Sequence, residues 1–178
     1  MRRFTMMHVA HARPAMKARG PALSYQFSLV QGAHCPGIPG IHFCMASAPS
    51  VVPFDALGGA DGVRALVNRF YDLVESAPEA VHLRAVHGPS LDSAREKLTL
   101  YLTGWTGGPP VYVERYGHPM LRARHLPFPI GVRERDEWLW CMEHALEAHD
   151  MPDEVRQFLM TKLRPLADHM RNRTEDSG

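Results

Sequence analysis

The sequence predicts an all-α fold, and three observations lead to that prediction. After Val52, apolar residues recur every three or four positions in four long stretches, which is the spacing of an amphipathic helix. Proline and glycine, which end helices, lie between these stretches. The β-branched cluster at residues 111–113 is too short to build a sheet.

The first two predicted helices are long. The first ends or bends at the Ser-Ala-Pro sequence of residues 76–78, because a residue before proline avoids helical geometry. Its apolar stripe comprises Val63, Leu66, Val67, Phe70, Tyr71 and Val74. The second has Ser90 as its expected N-cap and stops at the Gly-Gly-Pro-Pro sequence of residues 107–110. Its stripe comprises Leu91, Ala94, Leu98, Tyr101, Leu102 and Trp105.

Three further helices are predicted in the rest of the chain. A short one runs from Leu121 to His125 and is closed by the prolines that follow. The next helix has an apolar stripe of Trp138, Cys141, Met142, Ala145 and Leu146. The last begins near Pro152 and can kink at Pro165. Its stripe comprises Val155, Phe158, Leu159, Leu163, Leu166 and Met170.

The amino-terminal third differs in composition from the rest. It mixes Pro, Gly, His and Ser without a sustained period, and it contains no acidic residue before Asp55. We therefore predict a disordered extension over residues 1–52, one domain over residues 53–175 and a tail over residues 176–178.

Two interpretations of this extension stay open. Its arginine-rich, acid-free composition resembles a transit peptide, although no apolar segment of a secretory signal follows the first arginines. We favour the hypothesis that Met45 is the natural start and that residues 1–44 are an over-extended translation or an unstructured tail.

Charge and cysteine content exclude several classes of protein. The 20 Lys and Arg nearly balance the 19 Asp and Glu, so nothing favours binding to nucleic acid or to an anionic membrane. No apolar run approaches the ~20 residues of a membrane-spanning helix. Cys35, Cys44 and Cys141 lie far apart without a Cys-x-x-Cys pair, which argues against a disulfide framework or a structural zinc site. We expect a cytoplasmic protein.

The 11 histidines are expected to be mostly surface or hydrogen-bonded core residues. His118 and His125 would lie about 10 Å apart on one continuous helix, too far to share one iron, and His118 is expected to open the helix instead. His144 and His149 would face different sides of a helix, so both are interpreted as surface residues. His125, at a helix end before a proline-broken loop, is the candidate metal ligand.

Several motifs resemble those of the group II truncated haemoglobins. The sequence Gly-His-Pro-Met-Leu-Arg-Ala-Arg-His-Leu-Pro-Phe-Pro-Ile at residues 117–130 resembles their proximal segment. Further motifs follow the family's order: Phe70-Tyr71, His87-x-x-Ser90-Leu91, Trp105 with Gly107-Gly108-Pro109 and Tyr112, and Arg135-Asp136-x-Trp138-Leu139-x-Cys141-Met142. The resemblance covers about residues 53–175. It implies a truncated globin, a two-over-two helical sandwich around haem b (iron protoporphyrin IX).

The resemblance also implies roles for individual residues. His125 falls on the proximal ligand of the haem iron. Tyr71 and Trp138 fall on the distal tyrosine and tryptophan, whose O–H and N–H groups can stabilise a ligand that carries partial negative charge. Without the resemblance, Tyr71 and Trp138 would be interpreted as core residues.

Other positions complete the implied haem pocket. His87 falls on a position that is often aromatic in the family, and its alignment depends on its distance from Leu91. Ala94 and Leu98 fall on the two distal-helix positions nearest the ligand, where Ala94 leaves a possible side opening. Phe128 belongs to the proximal segment.

Four side chains are candidate partners for the haem propionates, because carboxylates at a pocket mouth favour basic or hydroxyl donors. They are Arg122, Arg124, Lys97 and Tyr112. The alternative, that each belongs to a solvated face, is equally compatible with the sequence.

The expected function is reversible binding of oxygen or another diatomic ligand at ferrous haem. Two strong donors predict slow release, which suits sensing, scavenging or redox chemistry better than bulk oxygen transport. The alternatives are a peroxidase-like or nitric-oxide-consuming haem enzyme and a haem-free helical interaction module. No flavin or nicotinamide pattern is present, so a reductase would be a separate partner, and the sequence leaves a homodimer open.

Overall fold

The computed structural model describes residues 49–174, and every regular element in that range is helical. Four long helices are α2 (Gly59–Ser76), α4 (Asp92–Trp105), α7 (Val132–Glu147) and α8 (Asp153–Met170). Four short helices are α1 (Pro53–Ala56), α3 (Val81–Ala85), α5 (Val111–Tyr116) and α6 (Leu121–His125). A 3-10 turn at Pro78–Ala80 precedes α3. The all-α prediction is confirmed for this part of the chain.

The long helices pack as two pairs. Helix α2 lies against α4, and α7 lies against α8, while the contact between α2 and α7 joins the two pairs. Helix α3 packs on α7, α5 packs on α4, and α6 packs on α8. This is the pairing that a two-over-two sandwich requires.

The predicted stripe of α2 forms the centre of the core. All six of its residues are buried, and the Phe70 side chain is completely enclosed. The stripe of α7 is buried from Cys141 onward, and that thiol lies in the core as predicted. The stripe of α4 differs, because Ala94, Leu98 and two aromatic residues on it are only half-buried. One face of α4 is therefore only partly covered by protein.

Helix starts and stops follow local chemistry, with small differences from the prediction. The Ser90 hydroxyl accepts a hydrogen bond from the Asp92 amide at 3.1 Å, but the cap position itself is Leu91. Residues 111–113, the β-branched cluster, lie in helix α5. Helix α8 continues through the exposed Pro165 to Met170.

Two histidine expectations were wrong. His118 does not open α6, which begins three residues later, after Met120 in the left-handed region with φ 43°. His149 is not a surface residue: it is half-buried, and its Nε2 lies 2.8 Å from the Leu57 carbonyl oxygen. The cause is tertiary, because the loop before α2 folds against the end of α7.

Some expectations fall beyond the described residues. Residues 1–48, with Cys35, Cys44 and most of the predicted extension, lie outside that range, and so does the tail. Within residues 49–174, none of the helices combines the length and apolarity that crossing a bilayer requires.

A glycine-to-alanine change in α2 tests this packing. A Cβ added at Gly62 would lie 1.6 Å from the Leu57 carbonyl oxygen. Alanine in a helix interior normally stabilises by about 1 kcal/mol over glycine, but here the clash reverses the sign. We expect Gly62→Ala to lower the free energy of unfolding by about 2–3 kcal/mol in chemical denaturation.

The matched control is Gly88→Ala. Among the described atoms, none lies within 4 Å of a Cβ added there, so its stability should stay within about 0.5 kcal/mol of the original. Equal stabilities of the two variants would contradict the close approach of Leu57 to α2.

Candidate functional site

An aromatic cluster lies beside the half-buried face of α4. The Phe70 and Tyr71 rings meet edge to face with centroids 4.9 Å apart, and Phe70 also contacts Trp138 at 5.4 Å. His87, from the loop after α3, meets the Tyr71 ring at 5.8 Å. The structure thus brings the predicted residues Tyr71, Trp138 and His87 together from three elements.

Tyr71 retains its hydroxyl proton. Its side chain is only 5% exposed, and burial raises the pKa of Tyr71 well above the ordinary 10.0, against a smaller lowering by the Arg95 guanidinium. Within residues 49–174, the Tyr71 hydroxyl makes no hydrogen bond to protein, and neither does the Trp138 indole N–H. Both groups are therefore neutral donors with no hydrogen-bond partner among these residues.

Arg95, on α4, contacts the Tyr71 ring of this cluster and forms hydrogen bonds to α2. Its guanidinium lies 5.5 Å from the Tyr71 ring centroid, donates to the Asn68 carbonyl at 2.7 Å and pairs with Asp72 at 2.7 Å. These bonds tie α4 to α2 next to Tyr71.

Glu137, beside Trp138 on α7, holds the segment that carries His87. One carboxylate oxygen accepts the Leu83 amide at 2.6 Å, and the other lies 2.6 Å from His82 Nδ1. The Leu83 carbonyl then lies 2.8 Å from His87 Nδ1. Since a carbonyl only accepts, His87 carries its proton on Nδ1.

Sequence reasoning did not identify Glu137 and Arg95. Each is a charged residue directly beside a predicted site residue, and that adjacency was the one available signal. Their partners are backbone and side-chain groups of other helices, which residue spacing does not reveal.

His125 occupies the end of α6 and is half-buried. Its Nδ1 lies 2.7 Å from the Leu121 carbonyl oxygen and must donate to it, so in the neutral imidazole the lone pair lies on Nε2. Exposed apolar side chains surround this position in sequence: Met120 is 58% exposed, Leu126 55% and Phe128 45%. Among the described residues, no ring contact joins His125 to the aromatic cluster.

This donor set fits haem. Within the described part of the chain, no group of three His, Cys, Asp or Glu residues could hold a free metal ion. Haem needs one protein nitrogen and apolar surroundings, because the porphyrin supplies the other ligands. His125 Nε2, the apolar residues near it and the half-buried face of α4 meet that requirement.

Three of the remaining predicted residues lie in two settings. Ala94 and Leu98 are half-buried on α4. Tyr112 is buried among tyrosines, with its ring 6.0 Å from Tyr101 and 5.2 Å from Tyr116. Partial burial of the Tyr101 ring raises the pKa of Tyr101 to about 12.

Two of the three basic candidates already donate hydrogen bonds to backbone carbonyls. Arg124 donates through Nε to the Pro119 carbonyl at 2.9 Å and through Nη2 to the Tyr116 carbonyl at 3.5 Å. Arg122 donates to carbonyls at the end of α8, and Lys97 is exposed.

Comparison with known proteins gives consistent matches. Residues 52–172 match the family described as bacterial-like globin. The chain is 42% identical to group 2 truncated hemoglobin YjbI of Bacillus subtilis over 123 residues, which are 69% of this chain and 90% of that protein.

Solved structures are similar over the same region. The group II 2-on-2 hemoglobin of Agrobacterium tumefaciens matches with a TM-score of 0.68 and 45% identity over 72% of this chain and 99% of that one. The cold-adapted truncated hemoglobin of Pseudoalteromonas haloplanktis matches with a TM-score of 0.68 and 39% identity over 70% of this chain and 100% of that one. The predicted two-over-two sandwich is confirmed.

The role of Glu137 can be tested by Glu137→Gln. The amide keeps one acceptor oxygen where the carboxylate had two, so the Leu83 amide or the His82 ring loses its partner. We expect the free energy of unfolding to fall by about 1–2 kcal/mol and the Leu83 amide to exchange faster with solvent. Glu147→Gln, an exposed change on the same helix, is the control and should leave both unchanged.

Proposed function

The chain belongs to the bacterial-like globin family, and we propose from this that it holds one haem b and reversibly binds oxygen or another diatomic ligand. The observation that carries the proposal is the bond from His125 Nδ1 to the Leu121 carbonyl, which leaves Nε2 free to bind iron. Ferrous haem, when bound, supplies the metal to which such a ligand attaches and places partial negative charge on it.

On the proximal side we assign the iron ligand to His125. A neutral imidazole whose Nδ1 donates to a backbone carbonyl has a fixed tautomer and ring orientation, and the bond raises the basicity of Nε2. The exposed apolar surface of Phe128 supports packing against the flat face of the porphyrin.

On the distal side we assign ligand retention to Tyr71 and Trp138. Both carry unshared donors, and both contact Phe70, so the core fixes their positions. His87, held by the Leu83 carbonyl, closes the cluster. Ala94 and Leu98 offer no polar group, so the two donors would set the retention time.

At the edge of the pocket we propose Arg124 as a propionate partner. Its Nη1 makes no hydrogen bond among the described residues, while Nε and Nη2 are anchored to carbonyls. The burial of Tyr112 among tyrosines supports an apolar contact with haem for that residue more than a bond to a propionate. We further propose that the protein works in the cytoplasm with a separate reductase.

The proximal assignment is tested by His125→Ala. The original protein should take up one haem per chain and show a strong Soret band. In His125→Ala the ferrous spectrum should change, because the Nε2 ligand is lost. His144→Ala is the matched control, because His144 also donates to the carbonyl four residues earlier, at 2.8 Å from Trp140, but lies on an exposed face. A normal haem spectrum in His125→Ala would remove the ligand assignment, and an original protein without a Soret band would remove the haem.

The distal assignment is tested by Tyr71→Phe. Loss of a hydrogen bond to a partly charged ligand should raise the oxygen dissociation rate about 10- to 100-fold in stopped-flow measurements. Because burial raises the pKa of Tyr71 above 10.0, the donor keeps its proton and the original rate should show no step from Tyr71 ionisation below pH 10. Tyr116→Phe, which removes a hydroxyl elsewhere, should leave the rate unchanged, and an unchanged rate in Tyr71→Phe would contradict the assignment.

A further inference from the structure

We infer that Asn172, two residues beyond the end of α8, is a positioning residue that sets the orientation of His125. The inference rests on the proposed function, since it concerns His125 as the iron ligand. It assigns a task to a polar side chain that neither the sequence motifs nor the aromatic cluster include.

A single amide group reaches three backbone groups of the segment that begins at His125. Asn172 Nδ2 donates to the His125 carbonyl at 3.0 Å and to the Phe128 carbonyl at 2.9 Å. Its Oδ1 accepts the Ile130 amide at 3.2 Å. Both donor hydrogens and the acceptor oxygen of the side chain are thus used within six residues.

The backbone of the same residue adds to this connection. The amides of Asn172 and Arg173 donate to the Ile130 carbonyl at 2.9 and 3.1 Å. Residues 172–173 therefore lie along residues 125–130 and fix them against the end of α8.

This segment needs external support. Helix α6 has five residues, far below the length at which an isolated helix is stable, and prolines at 127 and 129 remove two amide donors from the loop. Within residues 49–174, α6 packs chiefly on α8. The backbone position of His125 thus depends on groups supplied by the end of α8.

A second set of hydrogen bonds joins the start of α6 to the end of α8. The Arg122 guanidinium donates to the His169 carbonyl and, at 3.1 Å, to the Arg171 carbonyl. Arg122 fixes one turn of α6, whereas Asn172 binds the carbonyl of His125 itself. The imidazole is in turn bonded to the Leu121 carbonyl of α6. One hydrogen bond therefore holds the ring of His125, and the bond from Asn172 holds its backbone carbonyl.

The test is the nearly isosteric variant Asn172→Asp, with Asn172→Ala as a second variant. The aspartate keeps an acceptor for the Ile130 amide but places oxygen against two carbonyls in place of the donating NH2. In the full-length, haem-loaded protein we expect the amide hydrogens of Leu126, Phe128 and Ile130 to exchange at least about 10-fold faster, because two hydrogen bonds that hold this segment are lost. We also expect a broadened and shifted iron–histidine stretching band in the resonance Raman spectrum of the ferrous form, and haem loss to apomyoglobin about 10-fold faster.

The control is Gln157→Glu, the same amide-to-acid change on an exposed position of α8, and it should alter none of these readouts. Faster exchange with an unchanged iron–histidine band would overturn the inference, because Asn172 would then merely anchor a loop. Unchanged exchange would overturn it as well. If the original protein binds haem but lacks an iron–histidine band, the ligand assignment itself fails, and the inference fails with it.

Discussion

The packing of Phe70, a residue of α2, against α7 is the contact on which the rest of the structure depends. The ring is completely buried where the two helix pairs meet, and removal of such a side chain costs about 3–5 kcal/mol. The ring contacts both Tyr71 and Trp138. The residue that holds the fold together therefore also sets the separation of the two proposed distal donors, so changes at these three positions should not be additive.

The two sides of the proposed pocket are built by different physical means. The distal donors project from long helices whose apolar stripes are buried, and close packing leaves their rings few alternative positions. The proximal side is a five-residue helix and a proline-containing loop, held by hydrogen bonds from the end of α8. Retention of a small ligand should thus respond to core packing, and retention of the haem to a few polar contacts.

The sequence predicted the features that depend on periodicity or on local motifs. The stripe of α2, the burial of Cys141 and the end of α6 at His125 follow from residue spacing and from proline and glycine positions. It did not predict contacts between a side chain and a distant backbone group. Glu137 reaches an amide 54 residues away, Asn172 a carbonyl 47 residues away, and His149 a carbonyl 92 residues away. Such bonds are created by tertiary packing and leave no periodic pattern, which is why His149 was misread as a surface residue.

Ion pairs connect the two sides of the proposed pocket only weakly. Arg135 on α7, one turn before Trp138, pairs at 2.6 Å with Asp168 near the end of α8, which also pairs with Arg171 at 3.2 Å beside Asn172. Hydrogen bonds from Arg171 and Arg135 lower the pKa of Asp168, yet this carboxylate is exposed and water screens its interactions. The pairs are therefore too weak to transmit a change at Asn172 to Trp138. The buried contact of α7 with α8 therefore maintains the spacing between the proposed proximal and distal sides.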